Sequence, residues 1–229
     1  MILQVRAPIT TNEITQPANS PFTGQENEVN PLDDQITLDQ DQRYRASSYA
    51  LIAALLRSAP DSTMLEYIAQ LIQQPHDNSD DLLVAMSTLG LSAKMLKPAS
   101  IDDEFHELFI GLGKGELVPY ASWYLTGFLM EKPLSDLRDD LEKLGYQRDD
   151  SVHEPEDHAA ALCEVMSMMI AENTPLDTQR SFYNKHLATW IDRFYTDLSE
   201  ANAAVFYKSL GRFGVAFNAL EHDYFSMQS

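Results

Sequence analysis

From about residue 39 onward, apolar residues recur every three to four positions. In QRYRASSYALIAALLRS, Tyr44, Ser48, Tyr49, Ile52, Leu55 and Leu56 share one helical face. Pro60 stops that helix, and Asp61 or Ser62 can cap the next, which carries Met64, Leu65, Ile68, Leu71 and Ile72 and ends before Pro75. A third begins near Ser79 with Leu82, Leu83, Met86 and Leu89. A fourth opens on a capping box, Ser100 to Asp103, with Ile101, Phe105, Leu108 and Phe109 inward. Helices follow Pro119 and Pro133, the second closed by Gly145 as its C′ residue. Residues 155–172 form another, 177–199 a long one and 201–220 the last. No stretch alternates apolar and polar residues like a half-buried strand, and no internal repeat is visible. The pattern predicts an all-α fold, a single-domain bundle of about nine helices over residues 39–229.

Residues 1–38 break this pattern. Pro8, Pro17, Pro21 and Pro31 fall among Asn, Gln, Thr and Glu, with no apolar period. Such a segment buries too little surface to offset its ordering entropy, so it reads as a disordered or loosely packed extension. Composition then narrows the partners. The net charge is −19, from 35 acidic and 16 basic residues. Nucleic acid and anionic membrane surfaces would be repelled, whereas a basic or apolar peptide would be attracted. The single cysteine, Cys163, permits no internal disulfide and fits a reducing, cytoplasmic setting. No segment reaches the ~18 apolar residues of a membrane span, and the N-terminus has no secretory pattern.

The stretch FIGLGKGELVPYASWY, residues 109–124, holds the first candidate chemistry. It is not a P-loop: Lys114 follows Gly113, but Gly115 stands where Ser or Thr is needed, and no glycine lies five residues before Gly113. A dinucleotide fingerprint fails too, because the preceding segment is helical. The plain reading is a helix end, with Gly111 or Gly113 at positive φ. Glycines beside Pro119, Tyr120 and Tyr124 would also leave a concave apolar surface suited to a peptide.

A second group is His153-Glu154-Pro155-Glu156-Asp157-His158. Its plain reading is a helix start, with Pro155 at N1 and carboxylates in the first turn. The two histidines lie five apart with a proline between them, which is wrong for zinc, and Cys163 lies five from His158, off one helix face, among apolar residues typical of a core. As an anionic patch, Glu154 and Asp157 could hold a partner's arginines. In a third group, His186, Trp190 and Phe194 fall on one helical face and read as core.

These groups, in this order, resemble the TorD/DmsD/NarJ family of molybdoenzyme maturation chaperones. The matching residues are EFHELFIGLG (104–113), VPYASWY (118–124), EPEDH (154–158) and His186-Leu187 with Trp190, and the resemblance covers residues 40 to 220. It implies an all-α cytoplasmic chaperone without cofactor or catalysis. Such a protein binds the twin-arginine leader or apo body of an exported enzyme's catalytic subunit, and delays export until molybdopterin is inserted. Leader-binding residues carry over to Pro119, Tyr120, Ser122, Tyr124, Glu154, Pro155, Asp157 and His158, with Phe109, Gly111 and Gly113 shaping the groove. The client would be a trimethylamine oxide or dimethyl sulfoxide reductase, or a formate dehydrogenase. Members can form dimers by exchanging helices, and residues 145–154 are the candidate hinge. This sequence departs from the family at Leu112, where proline is frequent, at Tyr120, where some members have tryptophan, and in its longer N-terminal extension. The competing expectation is a generic helical adaptor that takes another peptide in the same groove.

Overall fold

The protein is described by a computed structural model over residues 3–5, 38–72, 80–111, 115–149 and 151–227. Its centre is α7 (Ala159–Ala171). The sequence AAALCEVMSMMIA is apolar nearly all the way round, and such a helix is stable only when enclosed. Ala159 to Cys163, Val165, Met166, Met169 and Ile170 are fully buried. Cys163 lies inside, near the Tyr195 hydroxyl, and burial pushes its thiol up to about 12. It is a core residue, as its apolar flanks predict.

The most extensive packing partner of α7 is α1 (Gln40–Arg57), capped by the Asp39 side chain. α2 (Ser62–Ala69) and α3 (Asp81–Met95) are capped by Asp61 and Asp80. α2 is shorter than its apolar pattern suggests: Leu71 and Ile72 lie beyond its end, and Gln73 to Ser79 fall outside the described residues. α4 (Pro98–Phe105) begins with Pro98 at its first turn, so the Ser100–Asp103 box sits inside the helix rather than capping it. A π turn (His106–Ile110) prolongs α4. α5 (Ala121–Thr126) and α6 (Lys132–Leu144) follow, and Gly145 closes α6 at φ 80°.

The expected long helix over 177–199 is two. α8 (Leu176–His186) and α9 (Ile191–Glu200) are separated at Leu187–Trp190, where the Trp190 indole N–H donates to the His186 carbonyl at 2.8 Å. His186, Trp190 and Phe194 still converge in the core, because the break turns the chain without exposing it. α10 (Phe206–Met227) packs along α9 and α3. Its first N–H groups, on Val205, Phe206 and Tyr207, donate to the buried Glu104 carboxylate at 2.7, 3.0 and 2.7 Å. Arg45 of α1 reaches Glu221 of α10 in a buried two-pronged pair, at 2.5 and 2.8 Å.

Among the described residues there are ten α-helices and one small ribbon. β1 (Leu3–Val5) pairs antiparallel with β2 (Tyr146–Arg148). Within the expected N-terminal extension, these three residues are a strand. Residues 6–37 lie outside the described residues.

Candidate functional site

Two stretches of chain that the sequence singled out meet in one corner. The π turn ends at Gly111, whose φ of 56° and ψ of 173° a β-carbon would oppose. The chain then doubles back: Glu116 and Leu117 donate their N–H groups to the carbonyls of Glu107 and Leu108 at 3.2 and 2.8 Å. That close return is possible because residue 115 is glycine. A β-carbon there would lie 2.4 Å from the Leu108 carbonyl oxygen. Gly113 lies outside the described residues.

The returning strand delivers Pro119 and Tyr120 to EPEDH. Tyr120 and His158 form an isolated antiparallel bridge. On either side of it, Ala121 N–H donates to the Asp157 carbonyl at 2.9 Å and Ala159 N–H to the Pro119 carbonyl at 2.8 Å. The Tyr120 ring stands edge-on to the His158 imidazole, with centroids 4.9 Å apart. The clasp joins the starts of α5 and α7, which explains why 37 intervening residues do not separate the two motifs in space.

The residues in this corner have different occupations. Glu154 is exposed and accepts the Tyr120 hydroxyl. Burial, reinforced by that carboxylate, raises the Tyr120 phenol well above its ordinary range, so it remains a donor. Asp157 is only 1% exposed, and its Oδ2 accepts the Ser122 N–H at 2.8 Å, capping the first turn of α5. Its Oδ1 and the Ser122 hydroxyl are buried without a hydrogen-bond partner among the described residues, and Asp157 lines a cavity of ≈140 Å³ with Leu137 and His186. Glu156 is buried too and is held by Arg138 of α6 at 2.8 Å and by Arg148 of β2 at 3.5 Å. Three carboxylates in a row therefore leave one, Glu154, facing solvent.

His158 starts α7 by accepting the Ala160 N–H on Nδ1 at 3.0 Å, which leaves the proton on Nε2. Burial lowers it to about 4, partly opposed by Glu154. It is a neutral capping imidazole at neutral pH. The helix accordingly starts at Ala159 and not at Pro155, which sits in the preceding turn.

Several of the expected leader-binding residues are buried in this structure. Ser122 is fully buried, Tyr124 is 9% exposed, and Asp157 is enclosed as described. Tyr124 donates its hydroxyl to Asp197 at 2.8 Å and packs its ring on Trp190 and Phe194. Pro119 is buried as well. Phe109, expected to shape the groove, has its ring on Phe105 and Tyr207 in the core. The half-buried Tyr120, Pro155 and His158 and the exposed Glu154 make up the accessible part of the expected leader-binding residues.

One accessible feature was not read from the sequence. At the end of α5 and directly after it, Leu125, Phe128, Leu129 and Met130 form an exposed apolar ledge, with Phe128 at 68% and Met130 at 72% exposure. Met130 holds φ at 61°, unusual for a side-chain-bearing residue. The signal in the sequence was the run LTGFLM, too short and too interrupted by Gly127 for either period.

Comparison with known proteins agrees with the resemblance. Residues 85–196 match the family model of the nitrate reductase delta subunit. A protein of Aliivibrio salmonicida named Chaperone protein TorD is 32% identical over 130 residues, 52% of this chain and 60% of that one. One of the same name from Vibrio parahaemolyticus is 28% identical over 133 residues, 53% and 62% of the two chains. The chain thus spans about three fifths of the length of these relatives. A solved structure from Archaeoglobus fulgidus, described as a redox enzyme maturation protein, is 17% identical with a TM-score of 0.49, covering 83% of this chain and 99% of that one; at that score the likeness carries no argument. With the motifs in order and these sequence matches, the chain is similar to the TorD/NarJ family over residues 85–196.

Proposed function

We propose that this protein is a chaperone, not an enzyme, for the maturation of an exported molybdoenzyme. It binds the twin-arginine leader or apo body of the catalytic subunit in the cytoplasm and holds back export until the molybdopterin cofactor is inserted. The observation that carries the reading is the clasp of Tyr120 on His158 with the exposed Glu154 on the Tyr120 hydroxyl, together with the exposed apolar residues at the other end of α5. A twin-arginine leader has two adjacent arginines followed by an apolar stretch. The Glu154 carboxylate can take a guanidinium by two hydrogen bonds, and Leu125, Phe128 and Met130 offer apolar area for the stretch that follows. The net charge of −19 steers a basic leader inward. The relatives named TorD chaperones support the same reading. No helix among the described residues is long and apolar enough to cross a membrane.

The client would be a trimethylamine oxide or dimethyl sulfoxide reductase, or a formate dehydrogenase. The test is titration calorimetry with leader peptides from the molybdoenzymes of the same genome, each beside a form with both arginines changed to Gln. Saturable binding of one leader, weakened in the Gln form, is expected and names the client. Binding of unrelated helical peptides with equal strength would favour a generic adaptor instead. Helix exchange about residues 145–154 belongs to the same proposal. Its expected sign is a dimer whose fraction rises with loading concentration in size exclusion with light scattering.

A further inference from the structure

Away from the Tyr120–Glu154 corner, α3 and α10 leave a groove of ≈940 Å³ open between them, walled by the start of α1 and by α9. It shares no lining residue with that corner. On α10, Val215, Ala216, Ala219, Leu220, Asp223 and Met227 face it at helical spacing. On α3, Val84 and Thr88 face it, and the same spacing continues past the groove to Leu91 and Met95. Val84 is 44% exposed and Met95 80%. A helix usually spends apolar positions at this spacing on a neighbour, yet among the described residues none covers these. The floor is low where Ala85, Ala216 and Ala219 stand, and short side chains let a further helix approach closely.

The charge at the rim says what kind of helix. Asp41, Asp80, Asp81 and Asp223 line it, against Arg212. Arg45 also lines it, but its guanidinium is already held by Glu221. The chain's own residues 6–37 carry Glu13, Glu26, Glu28, Asp33 and Asp34 against Arg6 alone, the same sign as the rim. We propose that this groove is a second docking surface, separate from the leader corner, for an amphipathic helix of another polypeptide whose apolar face is flanked by lysine or arginine. The apolar face lies along α3 and α10, and its basic flanks meet the four aspartates.

The test uses the full isotope-labelled chain and synthetic amphipathic helices of about 20 residues, long enough to hold helical structure. One is made of Leu and Lys, the other of Leu and Glu in the same pattern. The Leu/Lys peptide should move the amide signals of Val84, Thr88, Val215 and Ala219 along a saturable curve. The Leu/Glu peptide should bind about ten-fold or more weakly. Ala219→Trp, at an exposed position, fills the groove and should weaken the Leu/Lys peptide by about ten-fold. The pair Asp81→Lys and Asp223→Lys should do likewise without touching the core. Signal changes confined to Tyr120 and Glu154 would overturn the proposal. So would changes spread evenly over the acidic surface and indifferent to both variants, or no binding.

Discussion

Glu154 and Asp157 stand three residues apart in one motif, and the fold gives them opposite work. Glu154 faces solvent with the Tyr120 hydroxyl on it, while Asp157 is buried and caps α5 through the Ser122 N–H. Tyr120 and Tyr124 divide the same way, one at the surface and one packed on Trp190. The inner members build the corner, and under the proposed function the outer members meet the partner. A family signature can therefore mix residues that recognise with residues that only hold the recognising ones in place. The two kinds separate by what their loss disturbs, which is stability for the inner layer and affinity for the outer.

The largest effect belongs to Glu104, an inner carboxylate that satisfies three N–H groups at the buried start of α10. Glu104→Ala should cost about 4 kcal/mol in urea or thermal unfolding, because two buried donors and one part-buried donor lose their charged acceptor. A loss under about 1 kcal/mol would break the assignment of this motif residue to structure.

Next is acidification. The folded His158 imidazole titrates near 4 and an unfolded one near 6.5, so the unfolded chain takes up a proton first as pH falls. Its stabilising contribution is whole above about pH 6.5 and is lost towards pH 4, at most about 3 kcal/mol. His186, also lowered by burial, acts in the same direction. The informative quantity is thus the difference between wild type and His158→Asn, whose stability should depend less on pH over that window. Equal slopes would place His158 outside the structural layer.

Asp157→Ala should destabilise by about 2 kcal/mol, the loss of a helix cap in a buried setting, and Asp157→Asn by less. Its leader affinity, measured on the folded fraction by calorimetry, should change little. Glu154→Gln reverses that profile. Its unfolding should stay within about 0.5 kcal/mol of wild type, while leader affinity falls about ten-fold. If Asp157 instead governed affinity, the division into two layers would fail. The smallest effect is Phe128→Ser on the ledge: a drop of about three- to five-fold in leader affinity, with an unchanged melting curve.

Much of the architecture was legible because helices announce themselves locally. The cap at Asp61, the stop at Pro60 and the closure at Gly145 each need only a few neighbouring residues, and each is where the sequence puts it. Where a boundary rests on distant contacts the reading slipped. The break at Leu187–Trp190 follows from packing against the core, and the start of α7 shifted from Pro155 to Ala159 because His158 and Tyr120 pair across 37 residues.

The sequence by itself determined the helical class, the resemblance of EFHELFIGLG, VPYASWY and EPEDH to one family pattern, and the acidic character that favours a basic partner. It named the corner. The tertiary structure alone decided which members of the corner reach solvent. Burial depends on what lies opposite a side chain, and here Ser122 lies opposite Asp157, Arg138 opposite Glu156 and Trp190 opposite Tyr124. None of these partners is a sequence neighbour, so residue type and spacing cannot tell a carboxylate that caps a helix from one that waits for an arginine.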